Sequence, residues 1–180
     1  MASKKFDPFV SRRARDIRNG LSEAIIRSLD TNDAEHFRRL GKELLTSDLA
    51  PNYHNYVKDR LIRYEQAFLE VQQRDVSDTF TQAIALWNNG LFFEAHERWE
   101  TVWQEATGEK RMAINGLIKA AGVYVHMEQS HEQTAKTLAE KASALLGEHG
   151  WTLPSLLCLR KLLEKLKTQD PDPPQLFTCG

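Results

Sequence analysis

The sequence is poor in cysteine and has no long apolar run. Its two cysteines, Cys158 and Cys179, are too few and too badly placed for a disulfide framework or a zinc site. No apolar run approaches the ~18 residues that span a bilayer, and the first ten residues contain no apolar segment typical of a secretory signal. These absences predict a soluble, cytoplasmic protein without a membrane partner, in which Cys158 is an inert buried thiol.

An excess of charge of either sign is also missing. The chain carries 24 basic and 25 acidic residues, for a net charge of -1. Bulk electrostatics therefore gives no reason to expect a nucleic-acid partner. The hydrophobic fraction of 41% and the charged fraction of 27% are typical of a soluble globular protein.

Glycine and proline are sparse, alternating apolar and polar runs are absent, and helix-forming residues dominate. The chain is therefore predicted to be all-α, a multi-helix bundle of about eight helices with antiparallel neighbours and short connections. Three regions are expected: an N-terminal extension of about three helices over 1–75, a helical core over 76–150, and a C-terminal helix with a proline-rich tail over 151–180.

Three local features of these helices are predicted from individual residues. Thr31 or Asn32 is expected to cap the second helix, and the eighth helix is expected to begin around Pro154. The sixth helix contains Gly116 and Gly122, and each interior glycine costs ~1 kcal/mol of helix stability relative to alanine. Close packing against the aromatic fifth helix is expected to compensate for them.

The fifth helix contains the most informative stretch, residues 90–103. One apolar stripe at helical spacing comprises Phe92, Ala95, Trp99 and Val102. A second stripe places His96 and Glu100 one turn apart between Phe93 and Trp103. Because buried charges are costly unless they are paired, this stripe predicts a polar centre that other groups must meet. Glu94 is expected to be exposed, and Glu97 is expected at the rim of the centre.

The sixth helix carries a polar stripe of its own. Its members are Arg111, Asn115, Lys119 and His126, with Gly122 between the last two. If this helix packs antiparallel against the fifth, the stripe offers a cation or an amide to His96 and Glu100.

The motif Gly90-x-x-Phe-Glu-Ala-His-Glu-x-x-Glu-x-x-Trp103, followed by Arg111, Gly116-Leu-Ile118, Ala121 and His126, resembles the family known as domain of unknown function 309. The resemblance runs from about residue 80 to 146, and it implies a small all-helical bundle with no established activity. The chain departs from the family pattern in three places. Lys119 stands where glutamine is expected, Ser130-His131 replaces a Gly-Asn turn, and Thr134 replaces a glycine.

Three interpretations of the polar centre remain open. In the first, His96 and Glu100 join Arg111, Lys119 or His126 in a structural network. In the second, the centre binds a divalent metal through His96, Glu100 and His126, with Glu97 as a further ligand.

In the third interpretation, the centre is a small-molecule or catalytic site. His96 would be the general base, Glu100 would orient it, and Arg111 with Lys119 would hold an anionic group beside Trp103.

The sequence thus predicts a binding or interaction module with a buried or semi-buried His-Glu centre. The alternative is an enzyme, such as a metal-dependent hydrolase using His96 and Glu100, with Arg111 as a further catalytic candidate. No cofactor is evident from the sequence, although a divalent metal is compatible with it. A small molecule or a protein is the expected partner, and the N-terminal helices are candidates for homo-oligomer contacts. The predicted binding residues are His96, Glu97, Glu100, Trp103, Arg111, Asn115, Lys119 and His126.

Overall fold

The computed structural model describes residues 5–177, and it confirms the predicted all-α fold. Within these residues the chain forms eight α-helices and one short 3₁₀ helix, without any strand. The helices are α1 (Arg12–Thr31), α2 (Glu35–Thr46), α3 (Pro51–Gln73), α4 (Thr79–Asn88), α5 (Phe92–Glu105), α6 (Gly108–Glu128), α7 (Glu132–His149) and α8 (Leu159–Thr168), with the 3₁₀ helix at Gly150–Thr152 between the last two.

The chain divides into two compact units, Met1–Asp75 and Val76–Gly180. The first unit contains α1, α2 and α3, each of which contacts the other two. Its core uses the apolar stripe of α1, in which Leu21 and Ile25 are fully buried, together with Phe37 of α2 and Tyr64 of α3. The phenyl ring of Phe37 meets the ring of Tyr64 edge-on, with 5.7 Å between their centroids.

Self-association through these helices stays a prediction. Ile62 and Leu69 are 62% and 54% exposed on α3. They lie seven residues apart and therefore share one face of the helix.

The second unit packs α4 to α8 in sequence, with α5, α6 and α7 as consecutive neighbours. Its core is an aromatic cluster around the buried indole of Trp87. The centroid of that ring lies 5.1 Å from Phe92, 5.9 Å from Trp99 and 5.2 Å from Tyr124. Such aromatic contacts add to the large apolar area that these side chains bury. The apolar stripe predicted for α5 therefore faces the core of this unit.

The proline-rich tail is held against α4. The indole Nε1 of Trp87 donates a hydrogen bond to the carbonyl oxygen of Pro174 at 2.8 Å. The backbone nitrogen of Leu176 donates to Oδ1 of Asn88 at 2.7 Å. A buried indole N–H needs such an acceptor, so the tail completes the core that α4 begins.

The glycines of α6 face α7, not α5 as predicted. A Cβ atom added to Gly116 would lie 2.8 Å from Cγ of Leu146, and one added to Gly122 would lie 3.3 Å from Cδ1 of Leu138. Both leucines belong to α7. The close approach that compensates for the missing side chains is therefore made by the leucine-rich seventh helix, which has no aromatic side chains to hold it away.

Two predicted helix ends are wrong. Thr31 is the last residue of α1, and Asn32 is its C-terminal cap in the left-handed conformation, with φ of 56°. Asparagine tolerates that conformation, so it ends the first helix and does not begin the second. The eighth helix begins at Leu159, because the chain from Pro154 forms a turn in which Leu157 donates to the Pro154 carbonyl at 3.0 Å.

Cys158 is buried, but it is not the free thiol that was expected. Its side chain is 1% exposed and its sulfur is disulfide-bonded. Cys179 lies outside the described residues. In the part of the chain that the structure describes, no helix is both long and apolar enough to cross a bilayer.

Candidate functional site

Helix α5 begins at Phe92 with Leu91 as its N-cap, and the left-handed Gly90, with φ of 69°, lies in the turn after α4. The new helix turns Ala95 and Trp99 into the core, where both are fully buried. Its other face carries His96 and Glu100, whose side chains are 29% and 45% exposed. The His-Glu centre is therefore partly open to solvent.

This face forms one wall of a groove of about 320 Å³ between α5, α6 and α7. Six of the predicted binding residues line the groove: His96, Glu100, Trp103, Asn115, Lys119 and His126. Ile118, Gly122 and Leu138 complete the wall. The volume is at the lower end of the range for small-molecule sites, about 300–1,000 Å³.

The imidazole of His96 is held between two elements. Its Nδ1 lies 3.2 Å from the carbonyl oxygen of Ile118, and its Nε2 lies 3.2 Å from Oε1 of Glu100. A carbonyl oxygen only accepts hydrogen bonds, so Nδ1 carries the proton that it donates to Ile118. This fixes the ring so that Nε2 points at the Glu100 carboxylate.

The carboxylate of Glu97 lies next to this pair. His96, Glu97 and Glu100 each offer one ligand atom, and these three atoms all lie within 4.8 Å of one another. All three side chains are half-buried. One turn of a single helix therefore brings together one nitrogen and two oxygen ligands.

Arg111 does not line the groove or pair with the acidic groups. Its guanidinium lies 3.7 Å from the centroid of the Trp103 ring, and its Nη1 donates to the carbonyl oxygen of Ala106 at 3.3 Å. A guanidinium stacked on an indole restricts the rotation of both side chains. Within residues 5–177, Arg111 therefore contacts the wall of the groove and forms no ion pair with Glu97 or Glu100.

Asn115 and Lys119 are half-buried in the groove. In residues 5–177, neither side chain has a hydrogen-bond or ion-pair partner. The donors of these two side chains are consequently available to a ligand.

One end of the groove is lined by His126, which contacts His131. Nδ1 of His126 lies 3.2 Å from Nδ1 of His131, and the ring centroids are 5.4 Å apart. His126 is therefore turned toward the start of α7, and it does not belong to the His96, Glu97 and Glu100 cluster.

Sequence reasoning missed a buried polar cluster on the core side of α5. Glu94 was expected to be exposed, yet it is fully buried, and Arg98 is only 5% exposed. The Nε atom of Arg98 donates to Oε1 of Gln82 at 3.1 Å. The apolar sequence of α4 was the available signal, because every residue from Phe80 to Trp87 except Thr81 is buried, so that Gln82 needs a buried polar partner.

Fold and groove define a helical protein with a small, partly open polar groove in its second unit. A family model described as "Domain of unknown function (DUF309)" matches residues 80–138, which confirms the resemblance seen in the motif. The match spans less than half of the chain but includes every residue that lines the groove. Neither a curated protein nor a solved structure matches the chain in the corresponding comparisons.

Proposed function

We propose that the groove is a binding site whose polar centre holds a divalent cation through His96, Glu97 and Glu100. The observation that carries this proposal is the orientation of His96. With the proton on Nδ1, the Nε2 atom of a neutral ring is an acceptor, and it faces a carboxylate oxygen that also only accepts. A positive charge is needed between the two atoms.

A cation satisfies this requirement with the observed spacing. Nitrogen and oxygen ligands lie about 2.0–2.2 Å from zinc, so two ligands of one ion at tetrahedral or octahedral angles are about 2.8–3.6 Å apart. The Nε2 and Oε1 atoms are 3.2 Å apart. The hydrogen bond from Nδ1 to a backbone carbonyl is also the support that metal-binding histidines usually have.

The ligand types narrow the choice of ion. Imidazole suits zinc, copper, iron and nickel, whereas carboxylates also suit manganese and magnesium. One imidazole with two carboxylates favours a transition metal of this series over calcium, which prefers oxygen ligands alone.

A proton on Nε2 is the structural alternative, because it would convert the same geometry into an ion pair between imidazolium and carboxylate. The two readings differ in their response to added metal. A cation that binds the native state at 100 times its Kd stabilises that state by about 2.7 kcal/mol, whereas an ion pair gains nothing.

The test is isothermal titration of the full chain with Zn²⁺, Mn²⁺, Co²⁺, Ni²⁺ and Mg²⁺, followed by thermal unfolding with each ion and with chelator. We expect one ion to bind with 1:1 stoichiometry and to raise the melting temperature by several degrees. Glu100→Gln keeps the size of the side chain but removes its charge, and His96→Ala removes the nitrogen ligand. Both variants are expected to fold and to lose the response.

His36→Ala is the matched control. His36 lies 3.9 Å from Asp33 in the first unit, and these residues form no cluster of three ligands among the described residues. It should respond to metal as the wild type does. Failure of every ion to bind the wild type, together with a large loss of stability in His96→Ala, would show that the centre is a structural ion pair.

Catalysis is the second candidate function, and the groove beside the cluster is the observation that favours it. Three protein ligands leave coordination positions open, which distinguishes catalytic from structural zinc sites. Hydrolysis of 4-nitrophenyl acetate and 4-nitrophenyl phosphate by the metal-loaded protein, compared with Glu100→Gln, tests this function. Equal rates for the two proteins would rule out this chemistry on these substrates.

A further inference from the structure

We propose that the groove is selective for a small amphipathic anion, whose carboxylate or phosphonate-type oxyanion lies between the bound cation and the side chains of Lys119 and Asn115. This inference rests on the proposed cation site and adds the chemical class of the ligand. Its starting point is the position of the two unpartnered side chains on α6.

The hydrogen-bond donors of α6 in the groove favour an oxyanion. Lys119 presents an ammonium with three donors, and Asn115 presents an amide with two. Both side chains are half-buried in the groove, and within residues 5–177 neither has a polar partner. A ligand with an oxyanion head would accept from both groups.

The net charge of the groove depends on whether the cation is bound. Without a cation, the carboxylate of Glu100 in the wall of the groove repels an anion. A divalent cation bound there offsets the negative charge of its carboxylate ligands, so the ammonium of Lys119 then decides the sign of the groove. The loaded site therefore attracts anions, and hydrogen bonds between charged groups are about twice as strong as neutral ones.

The shape of the groove limits the size of the apolar part of the ligand. Its walls beside the polar centre are the indole of Trp103 and the aliphatic side chains of Ile118 and Leu138. Gly122 lines the floor of the groove without a side chain. A Cβ atom there would occupy part of the groove and would lie 3.3 Å from Cδ1 of Leu138. The volume of about 320 Å³ admits a single ring or a short chain behind the charged head.

A panel of probes that share one aromatic ring but differ in their polar head group tests this ligand class. Benzoate and phenylphosphonate carry the two oxyanions, benzamide is the neutral counterpart of benzoate, and benzylammonium reverses the charge. Each probe is titrated calorimetrically into the full-length, cation-loaded protein. We expect both anions to bind at least tenfold more tightly than benzamide, and benzylammonium not to bind. The ratio of the two anion affinities then identifies the preferred head.

Lys119→Gln tests the residue that carries the selectivity. Glutamine keeps a hydrogen-bond donor but removes the charge, so the affinity for both anions should fall about tenfold or more, as expected for loss of a charge-assisted hydrogen bond. Affinity for the cation should remain, which shows that the variant is folded. Lys136→Gln is the matched control, since Lys136 is exposed on α7 outside the groove. It should bind the anions as the wild type does.

The outcomes separate this inference from the proposed cation site. If the cation binds but benzamide binds as tightly as benzoate, or if Lys119→Gln leaves benzoate affinity unchanged, the anion inference is wrong and the cation site stands. If no cation binds, the panel is repeated with chelator. Anion binding that still depends on Lys119 would then retain the ligand class but overturn the role given to the cation, and no anion binding overturns both proposals.

Discussion

The two faces of α5 differ in how far their side chains are buried. On the core face, Ala95 and Trp99 are fully buried among apolar neighbours. On the groove face, the His96–Glu100 pair is partly exposed and its two facing atoms both accept hydrogen bonds in the neutral ring. The same fourteen-residue helix thus packs one face into the core and turns the other toward the groove.

This difference shows that aromatic content alone does not identify a core. Trp99 and Trp103 lie one turn apart on one helix, yet only the first belongs to the aromatic cluster around Trp87. The surroundings of the two indoles differ. Trp99 packs against the rings of Phe80 and Trp87, whereas Trp103 contacts the guanidinium of Arg111 and lines the groove.

The largest expected effect comes from truncating the two tryptophans in turn. Trp99→Ala should lower the free energy of unfolding by about 3–5 kcal/mol, because it removes a fully buried ring from the core. Trp103→Ala should cost about 1 kcal/mol or less, since its ring is half-exposed and contributes mainly the contact with Arg111. Urea unfolding followed by circular dichroism measures both. Equal costs would show that the groove face is part of the core.

A second pair of variants compares the two glycines of α6. Gly116→Ala should destabilise the protein, because the new methyl group meets the buried Leu146 at 2.8 Å and overpacking costs about 1–3 kcal/mol. Gly122→Ala should be neutral or stabilising by up to about 1 kcal/mol, because the gain in helix propensity offsets a contact with the tip of Leu138.

The same pair reports on the groove. Gly122→Ala adds a methyl group to the groove floor, so it should weaken benzoate binding even though it does not weaken the fold. If Gly116→Ala proved more stable than the wild type, the packing of α7 on α6 would be looser than the structure shows.

A smaller effect is expected at Tyr124, on the core side of α6. Burial, with the negative charges of Asp170 and Asp172, raises the pKa of this phenol above its ordinary value. The folded state therefore holds the proton more tightly than the unfolded state, whose pKa is about 10. Stability from this group is fully present below that pH, and it is lost as pH rises above it toward the pKa of the folded state.

Tyr124→Phe should remove this alkaline loss. Its hydroxyl oxygen is buried and has no hydrogen-bond partner among residues 5–177, so the variant should match or exceed the wild type by about 1 kcal/mol at pH 7. The difference between the two proteins should then widen from pH 9 to pH 11 in urea unfolding. A pH-independent difference would show that the phenol is solvated.

The smallest effect is expected where α6 ends beside the groove. Ser130 has a φ of 62°, a left-handed conformation that glycine adopts without strain. Ser130→Gly should raise the free energy of unfolding by about 0.5–1 kcal/mol. Asn32→Gly, at φ of 56° in the first unit, should gain less because asparagine tolerates this conformation. Equal gains would mean that the left-handed conformation is no more strained for serine at position 130 than for asparagine at position 32.

Much of this architecture could be predicted because it depends on local periodicity. The apolar stripe of Phe92, Ala95 and Trp99 and the polar stripe of His96 and Glu100 both follow from the 3.6-residue repeat, and the structure places them on different faces of α5. The polar stripe of α6 was likewise visible, and three of its members, Asn115, Lys119 and His126, line the groove.

The features that could not be predicted depend on packing partners that are distant in sequence. The burial of Glu94 and the role of Leu138 in the groove wall follow from which helices meet, and periodicity does not give that information. The partner of Arg111 was mistaken for the same reason. An arginine at the start of α6 can reach an acid or an indole, and only the observed geometry selects Trp103.

The three proposed cation ligands lie close together in the sequence, and this spacing affects the order in which the site forms during folding. His96, Glu97 and Glu100 lie within five consecutive residues, so bringing them together requires only one turn of helix and no long-range loop closure. The carbonyl of Ile118, which orients the imidazole, lies 22 residues away and is reached only when α6 docks. We therefore expect the three candidate ligands to come together early during folding, and the hydrogen bond to Ile118 to form later, when α6 docks.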